Sequence, residues 1–257
     1  MTQPESFPGL HAWFDTPLGR YVMAWESARF DALVADIFGY HAVQLGAPEF
    51  DFLRANRMPF RFTAGSGHVQ VEADYTALPF AAASLDLVVL PHVLEFASHP
   101  HQVLREVERV LVPEGQVVIA GFNPLSLFGL RRRLAGETAG YPWHGQYLSL
   151  RRLKDWLALL GFETGLQASG CFAPAVDQQR WLDRLTWLDC AGERWWPIGG
   201  GVYIIQAIKR VHSMRLIMPK WDRRAAGRAL APLIQKAGGP PKGCSQKSTD
   251  ERNSGRD

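Results

Sequence analysis

The sequence predicts an α/β fold in which helices cover both faces of a mostly parallel sheet. Two buried-type apolar runs of strand length, residues 85–90 and 116–120, enclose an amphipathic helix at 101–111. Two further strand candidates, 162–168 and 202–208, follow another helical segment. Strands that alternate with helices are typical of parallel sheets, and 257 residues are enough for one domain of this class with a large core.

The N-terminal part begins with an amphipathic helix and continues into the first strand. Apolar residues recur at three- and four-residue spacing over 18–38, and Gly39 ends this helix. The segment 41–45 is a short strand candidate. Residues 49–57 indicate a brief helix after it.

The next two strand candidates predict a hairpin. Apolar and polar side chains alternate over 60–63 and again over 69–73, as they do in half-buried strands. Only five residues, 64–68, separate the two segments. That gap suits a hairpin, because a parallel crossover needs a dozen or more residues.

The second half contains clear turn and cap signals. Pro113-Glu114-Gly115 predicts a turn whose glycine adopts a positive φ. Ser149 is a candidate N-cap for the helix 149–160, and Gly161 is its expected stop. Glu106 and Arg109, three residues apart on one helix, predict a surface ion pair.

The charge is distributed unevenly along the chain. The net charge is +3, but residues 209–257 hold 12 Lys and Arg against 4 Asp and Glu. We therefore expect an N-terminal helical segment (1–39), a main domain (40–210) and a basic, largely disordered tail (211–257). Such a tail makes contact with nucleic acid possible.

The composition excludes several classes of protein. Three widely spaced cysteines without CxxC spacing favour the reducing cytoplasm and predict neither a disulfide framework nor a metal site. The N-terminus lacks the basic and apolar regions of a signal peptide. No apolar run is long enough to predict a membrane span.

One block, residues 71–124, is far more specific than the rest. It contains, in order, Asp74, Leu78-Pro79-Phe80, Asp86, His92, Leu94-Glu95, Leu104, Glu106, Arg109-Val110-Leu111, Pro113 and Gly115. This block closely resembles the class I S-adenosylmethionine-dependent methyltransferases of the type 11 group. Later segments are similar to a proteobacterial branch of that group, so the resemblance covers roughly residues 18–210.

The resemblance implies a Rossmann-like sandwich with an antiparallel final strand, and it assigns roles to several residues. The bound cofactor would be S-adenosylmethionine, with Gly46, Asp74, Tyr75 and Leu90 as its contacts. In the family, the acid at the position of Asp74 accepts a hydrogen bond from the adenine amino group, and Tyr75 would flank the ring. From the residues alone, a turn or cap role is the alternative for Asp74.

Candidate catalytic residues follow the fourth and fifth strands. His92 has a near-neutral unperturbed pKa and is a candidate general base, with a cap or packing role as the alternative. Asn123 follows the next strand at the same edge and could touch the acceptor, or simply form a turn. In this family most of the rate comes from aligning the methyl group with its acceptor.

The chain departs from the family pattern at its first motif. Gln44 stands in place of an acid, and Pro48 and Phe50 stand in place of later glycines, so that only Gly46 remains. No acid follows the 60–63 strand, where the family holds the ribose hydroxyls. These departures leave two hypotheses open: methyl transfer to an unidentified acceptor, and a catalytically inactive methyltransferase-like protein that acts as a binding or partner module.

Overall fold

The protein is represented by a computed structural model that describes residues 8–135, 140–175, 177–184, 188–189, 192 and 199–211. One seven-stranded sheet in the order β3-β2-β1-β4-β5-β7-β6 organises this part of the chain. The strands are β1 (His41–Leu45), β2 (Phe60–Gly65), β3 (Val71–Glu72), β4 (Leu85–Pro91), β5 (Leu111–Phe122), β6 (Phe162–Gly170) and β7 (Val202–Lys209).

The helices connect and cover these strands. They are α1 (Pro8–Phe14), α2 (Pro17–Val34), α3 (Pro100–Val110), α4 (Leu127–Ala135), α5 (Leu150–Leu159) and α6 (Gln179–Arg184). Strands β1 to β5 pair in parallel, whereas β7 lies antiparallel between β5 and β6. The predicted parallel sheet with an antiparallel final strand is therefore confirmed.

The predicted hairpin is wrong, because β2 and β3 pair in parallel. Their register joins Ala64 to Val71 and Gly65 to Glu72. A long crossover is unnecessary because β3 pairs only with the last two residues of β2. The chain therefore has to run back along β2 by only two residues. Gly65 (φ +143°) and Gly67 (φ +94°) supply the backbone freedom for this tight loop.

The predicted brief helix at 49–57 is also absent, and turns occupy this segment. The side chain of Gln44 hydrogen-bonds the backbone of the segment at several points, which competes with helical pairing. The turn at 113–115 also differs from expectation. Glu114 has φ +65°, whereas Gly115 is not among the residues with positive φ.

Helix boundaries in the second half follow their sequence signals. Ser149 accepts a hydrogen bond from the backbone N–H of Arg152 at 3.3 Å, and Gly161 follows α5 with φ +81°. The predicted pair Glu106–Arg109 forms at 2.8 Å. It does more than predicted, since Arg109 also donates to the carbonyls of Leu78 and Phe80 at 2.9 Å each and so fixes the loop before β4.

The N-terminal helices pack against residues at the carboxyl end of β5 and in α4. Leu10, Phe14 and Leu18 share a buried cluster with Phe122 and Phe128. None of the helices in the described part of the chain is long and apolar enough to cross a membrane. The predicted basic tail from residue 212 onward lies outside the described residues.

Candidate active site

Four strands end at one edge of the sheet and bring the predicted site residues there. Strands β1, β2, β4 and β5 run parallel to one another, so their carboxyl ends face the same way. Open α/β sheets bind ligands at this edge. The segments that follow the four strands start at Gly46, Ser66, His92 and Asn123.

The ends of β1 and β2 form a glycine-lined cradle. Gly46 has φ +84°, and a Cβ at this position would lie 2.7 Å from Val93 Cγ2. A Cβ on Gly65 would lie 2.5 Å from the Tyr75 hydroxyl oxygen. Both positions therefore require glycine, because the space where each Cβ would lie is filled by the side chain of Val93 or Tyr75. Contact of this cradle with the adenosine part of S-adenosylmethionine remains a prediction.

Gln44 holds the loop that follows β1 through its side-chain amide. It is fully buried in β1, and its Nε2 donates to the carbonyl oxygens of Gly46, Ala47 and Phe50 at 2.8–3.1 Å. Its Oε1 accepts from the N–H of Phe52 at 2.9 Å. A carboxylate could not donate to those carbonyls. The replacement of the family acid by Gln44 therefore goes together with a loop whose backbone is bonded to the Gln44 side chain.

Phe50 closes the same loop against the N-terminal helix. Its ring centroid lies 5.3 Å from that of Phe14 in an edge-on arrangement and 6.1 Å from that of His11. This contact ties the loop after β1 to α1. The sequence alone could not show it, because it joins residues some forty positions apart.

Asp74 and Tyr75 lie beside the cradle. Asp74 Oδ1 accepts from the Thr76 N–H and hydroxyl at 2.8 and 2.7 Å, which is the turn role considered from the sequence. Tyr75 is buried, and its hydroxyl reaches the gap between Gly46 and Gly65. Leu90 is fully buried in β4. The cofactor contacts of these residues remain predictions.

His92 lies at the centre of a buried charged cluster, which we call the 26–92–95 cluster after Glu26, His92 and Glu95. His92 Nε2 is 2.6 Å from Glu26 Oε1, and its Nδ1 is 3.1 Å from Glu95 Oε1. All three side chains are at most 2% exposed. Glu95 Oε1 also accepts from the Phe122 N–H at 2.6 Å, so the cluster joins α2 to the ends of β4 and β5.

The two carboxylates keep His92 protonated. Burial alone would lower the pKa of the imidazole, but the charges and hydrogen bonds of Glu26 and Glu95 raise it to about 10. A protonated ring donates to both glutamates and has no nitrogen left to accept a proton. The general-base role of His92 stays a prediction, and this geometry favours a positioning role instead.

Three buried oxygens around the 26–92–95 cluster lack a hydrogen-bond partner in the described part of the chain. They are Glu26 Oε2, Glu95 Oε2 and the Tyr147 hydroxyl. Burial, followed by the charge of Glu95, raises the pKa of Tyr147. Unsatisfied buried oxygens of this kind are the atoms that a bound water or ligand would contact.

Asn123 holds the start of α4. Its Nδ2 donates to the Gly200 carbonyl at 2.9 Å, and its Oδ1 accepts from the Leu125 N–H at 3.0 Å. The structure thus places Asn123 at the predicted edge, with its amide used in local contacts. Its contact with an acceptor remains a prediction.

The sequence reasoning missed Glu26. A signal for it was present, because Val22, Glu26 and Phe30 lie four residues apart and share the buried face of α2. An acid between two apolar residues on a core-facing stripe indicates a buried partner of opposite charge.

Comparison with known proteins identifies the family. A family model described as "Methyltransferase domain" matches residues 52–119. The uncharacterized protein YafS of Escherichia coli is 32% identical over 163 residues, which are 62% of this chain and 68% of YafS. The chain belongs to the class I methyltransferases of the type 11 group. The uncharacterized protein Rv2003c of Mycobacterium tuberculosis is 29% identical over 59% of this methyltransferase-family chain and 56% of its own length.

Solved structures show the same fold. A chain of the complex between the Haloferax volcanii Trm112 methyltransferase activator and a methyltransferase superimposes with a TM-score of 0.56 and 16% identity, over 82% of this chain and 100% of that one. A SAM-dependent methyltransferase from Thermotoga maritima gives a TM-score of 0.52 and 16% identity over 74% and 97% of the two chains. At these identities the likeness concerns the fold alone.

Proposed function

We propose that this chain transfers a methyl group from S-adenosylmethionine to an acceptor. The observation that carries the proposal is the position of Gly46 and Gly65 at the carboxyl ends of two parallel strands, the edge at which open α/β sheets bind ligands. Family membership and the SAM-dependent methyltransferases among the structural neighbours support it. When bound, S-adenosylmethionine supplies an activated methyl group on its sulfonium.

The chain's own residues would bind and orient the reactants. Gly46 and Gly65 let Tyr75 pack between the two strand ends beside the cofactor, and Asp74 keeps Oδ2 outside its turn contacts with Thr76. The 26–92–95 cluster fixes α2 over the ends of β4 and β5. Alignment of this kind accounts for a large share of the rate in a direct displacement.

A binding titration of the full chain tests the cofactor site. We expect S-adenosylmethionine and S-adenosylhomocysteine to bind saturably in calorimetry. Asp74→Asn keeps an Oδ1 for the Thr76 turn but puts a donor toward the adenine amino group, so the affinity should fall about tenfold. Asp155→Ala, which removes an exposed carboxylate on α5, is the control and should leave the affinity unchanged. No binding by the native chain at millimolar ligand would reject the proposal.

A second candidate is a non-catalytic binding module. Specific observations favour it: Phe50 packs on α1 beside the cradle, and Gln44 replaces the family acid in a bonded loop. No acid follows β2 to hold the ribose hydroxyls. Methyl-labelled S-adenosylmethionine incubated with the protein and a cell extract separates the two. Label transferred to any acceptor supports the enzyme, and tight binding without transfer supports the module.

We further propose a cytoplasmic location and a role for the basic tail. The cytoplasm suits a protein with few cysteines, of which Cys171 is buried as a free thiol. Binding of nucleic acid through residues 211–257 stays a prediction. Truncation of that tail should lower RNA or DNA affinity, and the affinity of the full chain should fall with salt.

A further inference from the structure

Helix α4 exposes a row of leucines that no described part of the chain covers. Leu127, Leu130 and Leu134 are 42%, 51% and 79% exposed, and their spacing of three and four residues places them on one face. Leu125, just before the helix, is 61% exposed. We call these four side chains the leucine face. Monomeric proteins rarely expose contiguous apolar surface of this kind without a partner.

The opposite side of α4 holds the helix firmly on the domain. Phe128 is fully buried against Phe122 and Trp143. Gly129 allows close approach, since a Cβ there would lie 2.1 Å from the Pro124 carbonyl oxygen. The outward direction of the leucine face is thus fixed by packing rather than by a loosely attached helix.

Arginines border the leucine face. With a turn of about 100° per residue, Arg131 and Arg133 flank the row of leucines on its two sides. Arg133 is exposed, while the Arg131 guanidinium lies over the Trp143 ring, 4.5 Å from its centroid, and stays half-buried. The sequence has no Asp or Glu between Glu114 and Glu137. No carboxylate therefore lies on α4 or in the loop before it.

We propose that the leucine face, with the exposed Arg133 beside it, docks on an anionic lipid surface. An amphipathic helix that lies in a membrane interface combines leucines on one face with Lys or Arg beside them, and gains from both apolar burial and headgroup charge. A second copy of the chain fits less well, because a two-fold contact through α4 would bring the arginines of both copies together. The proposal does not depend on the methyl-transfer proposal.

Vesicle co-sedimentation of the full chain tests the docking. The probes are vesicles of phosphatidylcholine alone and of phosphatidylcholine mixed with phosphatidylglycerol. The variant is Leu130→Ser with Leu134→Ser. The control is Leu159→Ser with Leu166→Ser, two leucines that are 85% and 65% exposed elsewhere on the domain. None of the four substitutions changes the charge of the protein. Any attraction between the basic tail and the vesicles is therefore the same in every protein.

We expect the native chain and the control to bind the anionic vesicles more strongly than the neutral ones. The Leu130 and Leu134 variant should bind the anionic vesicles at least about tenfold more weakly, because burial of two leucine side chains is lost. Far-ultraviolet circular dichroism and thermal melting establish that both variants fold like the native chain.

Three results would overturn the docking. The first is no binding of the native chain to anionic vesicles. The second is equal binding by the variant and the control, which would assign the attraction to charge alone. The third is a concentration-dependent dimer in sedimentation velocity that only the Leu130 and Leu134 variant loses, which would make the leucine face a contact between copies.

Discussion

The β4–β5 half of the sheet and the β1–β3 half use the family's sequence pattern differently. Around β4 and β5 the matching residues hold the scaffold together: Asp86 accepts from the N–H groups of Tyr40 and His41, and Glu95 joins His92 to Phe122. At β1 the family's first motif is replaced and no acid follows β2, although the family match itself extends back to residue 52, and the side chain of Gln44 holds the loop after β1.

This difference separates evidence for the fold from evidence for the chemistry. A family match carried by residues that brace strands and loops shows that the chain folds like the family. Binding of the cofactor depends on the other half, where Gly46 is retained and Gln44 replaces the acid.

The 26–92–95 cluster should give the largest single loss of stability. His92→Gln leaves two buried carboxylates without their cation, so the free energy of unfolding should fall by about 3–5 kcal/mol in chemical denaturation. Replacing Glu26 and Glu95 by Gln as well removes the charges and should recover much of the loss. A cost below about 1 kcal/mol for His92→Gln would mean that the cluster is not ionised.

The same cluster predicts a dependence on pH. The pKa of His92 is raised from 6.5 to about 10 in the folded state, so the folded state holds the proton more tightly than the unfolded state. Its contribution is complete below the unfolded pKa and is lost as pH rises through the folded pKa. Between pH 7 and pH 9 the free energy of unfolding should fall by about 2 kcal/mol.

The control for this slope is the protein with Gln at all three positions of the cluster. Its free energy of unfolding should change much less over the same pH range. A native chain whose stability rises with pH in this window would contradict the assignment of a protonated His92.

The cradle predicts a smaller cost at Gly46. Gly46→Ala combines a positive φ with a Cβ only 2.7 Å from Val93 Cγ2, and should destabilise by about 1–3 kcal/mol in thermal or chemical unfolding. Gly67→Ala is the matched control, since Gly67 has φ +94° but nothing within 4 Å of its Cβ position. Equal costs for the two variants would show that the close approach at Gly46 has no energetic weight.

The hydrogen bonds of Arg109 to the loop before β4 predict the smallest effect. Arg109→Lys keeps the charge but loses the fork that reaches Leu78, Phe80 and Glu106 together, so we expect a loss of about 1 kcal/mol. Arg105→Lys, at an exposed position of the same helix, should be neutral. Indistinguishable melting temperatures for these two variants would show that Arg109 stabilises the fold no more than a surface ion pair does.

The sequence predicted the elements whose signals are local. Helix α5 has its cap at Ser149 and its stop at Gly161, and the buried strands β4 and β5 lie where their apolar runs indicated. The parallel pairing of β3 was missed because two residues carry too little pattern, and the loop length was judged for a full crossover. Glu26 was missed because its partner His92 is 66 residues away.

Amide hydrogen exchange of the native chain, with and without S-adenosylhomocysteine, can locate the cofactor site on the chain. We expect slower exchange in the ligand-bound protein at residues 46–50 and 65–67, which include the cradle, with little change on α5. Unchanged exchange at the cradle, or protection confined to other parts of the chain, would contradict a cofactor site between β1 and β2.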